Sequence, residues 1–462
     1  MKLWVKSVLG FLALSACAAT PYSTPEQRIE RAAPLSYALP PMKVFSGVHR
    51  LPARRSNVSV ARDFLDLSFQ LESGRPLPRF TRFEGPVTVR VTGDAPPSLG
   101  PDLARLMQRL RNEAGIPIRR AATSQNASIT IDVIPRKQLQ DLVPDAACFV
   151  APGVSDWTGY KRNRNAPLLD WTRLETRDRL AIFIPGDVAP QEIRDCLHEE
   201  LAQALGPLND LYRLSDSIFN DDNFQTVLTS FDMLILRTYY SPDLYNGMSQ
   251  AQVAARLPAI LARLNPEGGA TGIPRGSQRS KIWDQAVRNA LNPGSESRRR
   301  LTAARNAVRI ATDNNWQDGR LAFSLYLQGR FSIGREPGQA LSSFLRADQI
   351  FRARPGSELQ SAHVAMQLAA FALRAGQART ALDMVNANLE PVKRAENAAL
   401  LATLLMIKAE ALDLLGQADE ARSVRLDSLG WARYGFGSDA EVRERAGDIA
   451  ALAPGKTRVQ YK

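Results

Sequence analysis

The run Cys196-Leu197-His198-Glu199-Glu200-Leu201-Ala202-Gln203-Ala204-Leu205-Gly206-Pro207-Leu208-Asn209-Asp210 holds most of the side chains able to do chemistry in this 462-residue chain. His198-Glu199 opens like the zinc motif H-E-x-x-H, in which two imidazoles one helical turn apart grip the ion and the glutamate activates its water. Position 202 is alanine, so the second imidazole is missing. The chain has three histidines, His49, His198 and His363, so a three-histidine zinc site within this region is excluded. Asp210, Asp216, Asp221 and Asp222 form an acidic stretch without EF-hand spacing and read as a solvated loop.

A second register of the same run resembles the metzincin metalloproteases. With Ala204-Leu205-Gly206 set on the sequence that follows the second histidine in that family, Glu199 stands at the first ligand position and Glu200 on the general base. Gln203 and Asn209 then occupy the second and third ligand positions, and Gly206 matches the turn glycine. Ser217-Ile218-Phe219 resembles the Met-turn, with Phe219 for methionine, and Leu228-Thr229 with Asp232 to Tyr240 resembles the closing helix. The likeness spans roughly residues 85–245 and implies a zincin-like α+β fold. The chain also looks like an uncharacterised family of proteobacterial lipoproteins, a domain of unknown function followed by a helical part.

The ligand chemistry argues against catalysis. One carboxylate and two neutral amides are hard, weak donors, too few for calcium and poor for zinc. Without a Lewis acid to activate water, Glu200 is a relic general base. No metal and no other cofactor is expected.

The elements that must hold this run are legible by periodicity. Val87, Val89 and Val91 alternate as a half-buried strand, and a helix follows from Pro101 to Gly115 with Leu103, Leu106, Met107 and Leu110 on one face. Ile129, Ile131 and Val133 form a second strand. After a loop rich in polar and aromatic residues, Leu180 to Ile184 forms a third, wholly apolar strand, which the metzincin resemblance implies is the sheet edge. The next helix starts at Pro190 and ends at Gly206. Its buried stripe is Ile193, Leu197, Leu201, Ala204 and Leu205, with Glu200 at the margin beside Glu199 and Gln203 on a polar flank.

Beyond a Gly- and Pro-rich stretch the chain turns helical. Ala372-Leu373-Arg374-Ala375-Gly376-Gln377-Ala378 and Leu414-Leu415-Gly416-Gln417-Ala418 are alike, with Gly376 and Gly416 forty residues apart. A looser copy surrounds Gly334 and Ala340. Glycine between amphipathic helices, with alanines where they cross, resembles tetratricopeptide-type repeats, against a non-repetitive bundle.

Lys2, Lys6, the apolar run Val8 to Leu14 and then Leu14-Ser15-Ala16-Cys17 read as a lipoprotein signal peptide, too short for a span of ~20 apolar residues. Lipidation falls on Cys17, and Ala18 rather than Asp points to the outer membrane. Of three cysteines, Cys148 and Cys196 are then left as a pair in an oxidising compartment, expected to be bonded, against two buried thiols. The net charge of +12, from 59 Lys and Arg against 47 Asp and Glu, fits anionic envelope components or a merely soluble surface; nucleic acid is not expected for an exported chain.

The expected organisation is a signal peptide (1–16), a lipidated Pro-rich tether (17–57), a zincin-like α+β domain (58–264), a linker (265–295) and an all-α helical-repeat domain (296–455). The expected function is that of a non-catalytic periplasmic binding or scaffold lipoprotein, joined to the membrane by its acyl anchor and to envelope proteins by its helical repeats. The alternative is an envelope peptidase or cell-wall hydrolase using Glu200 with an atypical metal site. Cys17→Ser should release the protein from membranes or block its processing. A variant that still sediments with membranes at the normal mature mass overturns the anchor.

Overall fold

The computed structural model describes residues 38–47, 55–220, 224–269, 272, 280–292 and 294–455. Cys17, residues 1–16 expected to form a signal peptide, His49, Asp221 and Asp222 lie outside the described residues. Two compact units are present: residues 45–279 with 394–396, and the remainder, which includes 38–44 and 280–393.

The first unit is a mixed α/β domain built on one five-stranded sheet of order β2-β1-β3-β5-β4. β1 (Val87–Gly93), β2 (Ile118–Arg120), β3 (Ile129–Ile134) and β5 (Leu180–Pro185) are mutually parallel, and β4 (Phe149–Pro152) pairs antiparallel with β5. Val87, Val89 and Val91 face the main core, as their alternation requires. The other β1 face carries Arg90 and Thr92, which bond to Thr130 Oγ1 (2.9 Å) and Asp132 Oδ1 (2.7 Å) of the neighbouring strand.

β5 is apolar throughout because both its faces are covered. Leu180, Ile182 and Ile184 join the main core, while Ala181 and Phe183 join a smaller cluster with Leu139, Val154 and Trp157. It is therefore internal, not the expected edge: the edge is β4, four residues long and ending in proline, too short to show a period in sequence. β2 was hidden for the same reason.

Helices α1 (Asn57–Ser68), α2 (Leu99–Ala114), α5 (Pro190–Leu205), α6 (Ser230–Tyr239) and α7 (Gln250–Leu264) contribute to the main core. The short α3 (Arg136–Gln140) and α4 (Trp157–Asn163) supply the smaller cluster. α2 ends where glycine allows it: Gly115 is left-handed (φ 68°) and donates to Leu110 O.

The second unit is all helix, from α8 (Lys281–Leu291) and α9 (Ser297–Asp313) through α10 (Gly319–Ser332) and α11 (Pro337–Arg352) to α12 (Glu358–Arg374), α13 (Ala378–Arg394), α14 (Ala398–Leu414), α15 (Ala418–Phe436) and α16 (Asp439–Ala450). α8 occupies part of the stretch read as linker. The forty-residue repeat has a local cause. α12, α13 and α14 are each 17 residues long. Left-handed residues recur at Gly356, Gly376, Glu396 and Gly416, every twentieth position. At two of them the same closure forms, Gln377 N–H to Ala372 O and Gln417 N–H to Leu412 O, both 2.9 Å.

Residues 40–43, within the expected tether, lie along α15. Lys43 N–H donates to Gly430 O (2.9 Å), Arg433 donates to Pro40 O (3.0 Å), and the Lys43 ammonium pairs with Asp427. Gly430 permits this approach, since a Cβ there would stand 3.2 Å from Pro41 O.

The fold brings Cys148 and Cys196 to disulfide distance, with Cα atoms 6.0 Å apart at a sequence separation of 48. The link would fasten the start of β4 to α5. Loop-closure entropy puts its contribution at about 4 kcal/mol. Unreduced peptide mapping should recover the joined peptides, and reduction should lower the denaturation midpoint. Two alkylatable thiols in oxidised protein would sink the pairing.

Candidate functional site

α5 carries the candidate site, and its surroundings decide what each side chain does. Pro190 fits its first turn, where no intrahelical N–H is needed. The expected stripe is buried, but so are Cys196, His198, Glu200 and Gln203, leaving Glu199 half-buried. The polar flank anticipated from periodicity is therefore largely covered. A helix wheel assigns faces relative to one neighbour, and α5 has neighbours on several sides.

The C-terminal end of α5 is closed by Arg177, which the sequence reading missed. Its buried guanidinium donates to Gln203 O (2.7 Å), Ala204 O (2.8 Å) and Gly206 O (2.5 Å), and its Nε reaches Thr81 Oγ1 (3.2 Å). The cation also stacks on Trp171, 5.4 Å from the ring centre. Burial pulls the Arg177 pKa below its usual value. An arginine in a loop before a strand carries no signal for this role; only the fold supplies the carbonyls. At Gly206 a Cβ would stand 2.9 Å from the Tyr239 ring, so glycine is required for contact with the Phe64–Phe80–Tyr239 aromatic cluster.

The positions aligned with metal ligands have separate partners. Gln203 Nε2 donates to Asp210 Oδ2 (3.2 Å). Asn209 is fully buried and donates to Asp66 O on α1 (2.8 Å). His198 serves the core, its Nδ1 accepting the Leu228 N–H (3.0 Å). Among the described residues no group of three or more His, Cys, Asp or Glu side chains is placed to hold a metal ion.

Glu200 is the chemically distinctive group. It is 5% exposed, and its Oε2 has no hydrogen-bond partner among the described residues. Burial, and then the Glu72 carboxylate, push its pKa up to about 8. The shift favours the protonated form of Glu200, which can donate one hydrogen bond.

Phe219 sits fully buried in a turn organised by Asp232. Ser217 Oγ donates to Asp232 Oδ1 (2.5 Å), while Ile218 N–H (3.1 Å) and Thr229 N–H (2.7 Å) donate to Oδ2. Phe219 N–H closes the turn on Ser217 Oγ (3.0 Å). Upstream, Arg213 spans Asp63 and Asp66 of α1, and Arg55 spans Asp63 and Asp216. These ion pairs pin the segment after α5 against α1.

β4, fastened beside α5, offers little to an added strand. Gly153 N–H donates to Arg179 O (2.9 Å), so alternation turns Val150 and Pro152 outward, and Pro152 has no N–H.

Over residues 57–259 the chain is similar to a family model described as "Protein of unknown function (DUF2927)". The matched segment begins at the first residue of α1 and includes the whole sheet and the α5 site. No curated protein and no solved structure matches the chain.

The raised Glu200 pKa carries a stability signature. Unfolded glutamate titrates near 4.5 and folded Glu200 near 8, so between those values the folded state binds the extra proton. Stability from this group is complete below pH 4.5 and falls as pH rises toward 8, by up to about 1.4 kcal/mol per pH unit. Urea denaturation from pH 5 to 9 should show a shallower decline for Glu200→Gln than for wild type. Parallel declines would refute the buried neutral acid.

Proposed function

We propose that this chain is a lipid-anchored periplasmic binding protein whose mixed domain is a zincin-like pseudoenzyme and whose tetratricopeptide-like helices present the partner surface. Cys17 is its acylation site and the outer membrane its location. The zincin-like reading draws support from the glycine turn at Gly206, the folded turn around Phe219 and α6 after it, which follow in the order the resemblance implies.

The observation that carries the non-catalytic reading is the state of the α5 site. Burial and the Glu72 carboxylate push the Glu200 pKa up to about 8, and Asn209, aligned with the third ligand, donates its amide N–H to the backbone of Asp66. With no group of three or more His, Cys, Asp or Glu side chains placed to hold a metal ion among the described residues, the site is poorly equipped to set a Lewis acid beside Glu200.

One observation favours the hydrolase alternative. Glu200 keeps an oxygen without a partner, and a buried carboxylic acid with a raised pKa is what a general acid requires.

The purified chain should retain no stoichiometric zinc after exhaustive dialysis, and should cleave neither an unstructured polypeptide nor cell-wall fragments. Turnover abolished by Glu200→Ala would replace the binding reading with the hydrolase one.

A further inference from the structure

We propose that one end of the helical unit, where α8 to α11 turn, is a docking surface for an anionic membrane leaflet. The surface stands on its own charges and does not depend on acylation of Cys17.

Short loops join these four helices, so the C-termini of α8 and α10 meet the N-termini of α9 and α11. Three contacts fix the arrangement. Arg300 at the start of α9 donates through Nε to Ala290 O at the end of α8 (2.9 Å). The same guanidinium lies over Phe331 at the end of α10, 4.4 Å from the ring centre. Arg305 pairs with Glu336, just before α11 (2.5 Å).

This end carries Arg298, Arg299, Arg300, Arg330 and Arg335 against Glu296 and Glu336, and Arg305 already neutralises Glu336. Arg330 also approaches Phe331, 6.0 Å from the ring centre. Among the described residues neither Arg300 nor Arg330 has a carboxylate partner. Other half-buried arginines of the unit do: Arg320 pairs with Asp318, and Arg425 with Glu410 and Asp413. Burial and the neighbouring Arg330 charge both hold the Arg300 pKa below its usual value.

Two guanidiniums on one ring without an acid repel each other, and an anion between them removes the repulsion. Phosphoryl oxygens fit the planar guanidinium fork. Arg298, Arg299 and Arg335 are exposed around this centre, so the charges spread over several helix ends and suit many headgroups at once. Half-buried Phe331 puts an aromatic ring at the level of the charges, as membrane-interface aromatics do.

The test uses the unacylated chain from Ala18 onward, sedimented with phosphatidylcholine vesicles with or without phosphatidylglycerol. Binding should require phosphatidylglycerol and weaken with salt. Arg298→Gln with Arg299→Gln, at exposed positions, should reduce binding roughly tenfold or more. Arg300→Gln with Arg330→Gln should do the same. Arg352→Gln with Arg354→Gln removes equal charge from exposed positions at the opposite turn, between α11 and α12, and should leave binding intact. Equal loss in that control, or binding to neutral vesicles, overturns the proposal. So does thermal stabilisation by inorganic phosphate without vesicle binding, which would mark a site for a free anion.

Discussion

An α-helix leaves its last four carbonyls without intrahelical partners, and in α5 that end is buried rather than open to water. The Arg177 guanidinium meets the need by donating to three carbonyl oxygens, those of Gln203, Ala204 and Gly206. Each buried carbonyl left unpaired would cost about 1–3 kcal/mol. The same contact sets where the chain leaves the helix. Gly206 then turns against Tyr239, Leu208 N–H reaches Leu67 O, and Asn209 enters the protein to meet Asp66. The candidate site depends on this one cation, which lies outside the motif it supports.

Beyond that turn the segment is held by buried carboxylates. Asp232 gathers Ser217, Ile218 and Thr229, and Asp63 is shared by Arg55 and Arg213. Removing one partner from such a group leaves an uncompensated buried charge, so the network favours one conformation of the loop. The helical unit is organised differently. There α11 to α14 are each followed by a left-handed residue, spaced twenty apart, and at Gly376 and Gly416 the closure is made within a few residues of the turn. Long-range polar bonds shape one unit, and repeated local geometry shapes the other.

These constraints bear on chemistry. A glutamic acid whose pKa is raised by burial and by Glu72, a glutamine bonded to Asp210 and an asparagine bonded to Asp66 make up the site. The resemblance to a metalloprotease lies in the order of residues along the chain, and what those residues can do follows from their partners.

The amino-acid sequence by itself determined the features written in short-range pattern. Alternating valines and isoleucines marked β1 and β3, Pro190 and Gly206 bounded α5, and Gly376 and Gly416 marked the helical repeat, because strand faces, helix ends and left-handed turns depend on neighbouring residues. With His198 the one histidine between residues 58 and 264, a three-histidine site there was excluded. Only the tertiary structure decided that β4 rather than β5 forms the edge, that Glu200 is buried and Asn209 turned to α1, and that Arg177 closes α5. Those outcomes depend on which distant segments cover a side chain or offer it a carbonyl. Desolvation and hydrogen-bond satisfaction are properties of the packed surroundings, and no spacing within a single helix encodes them.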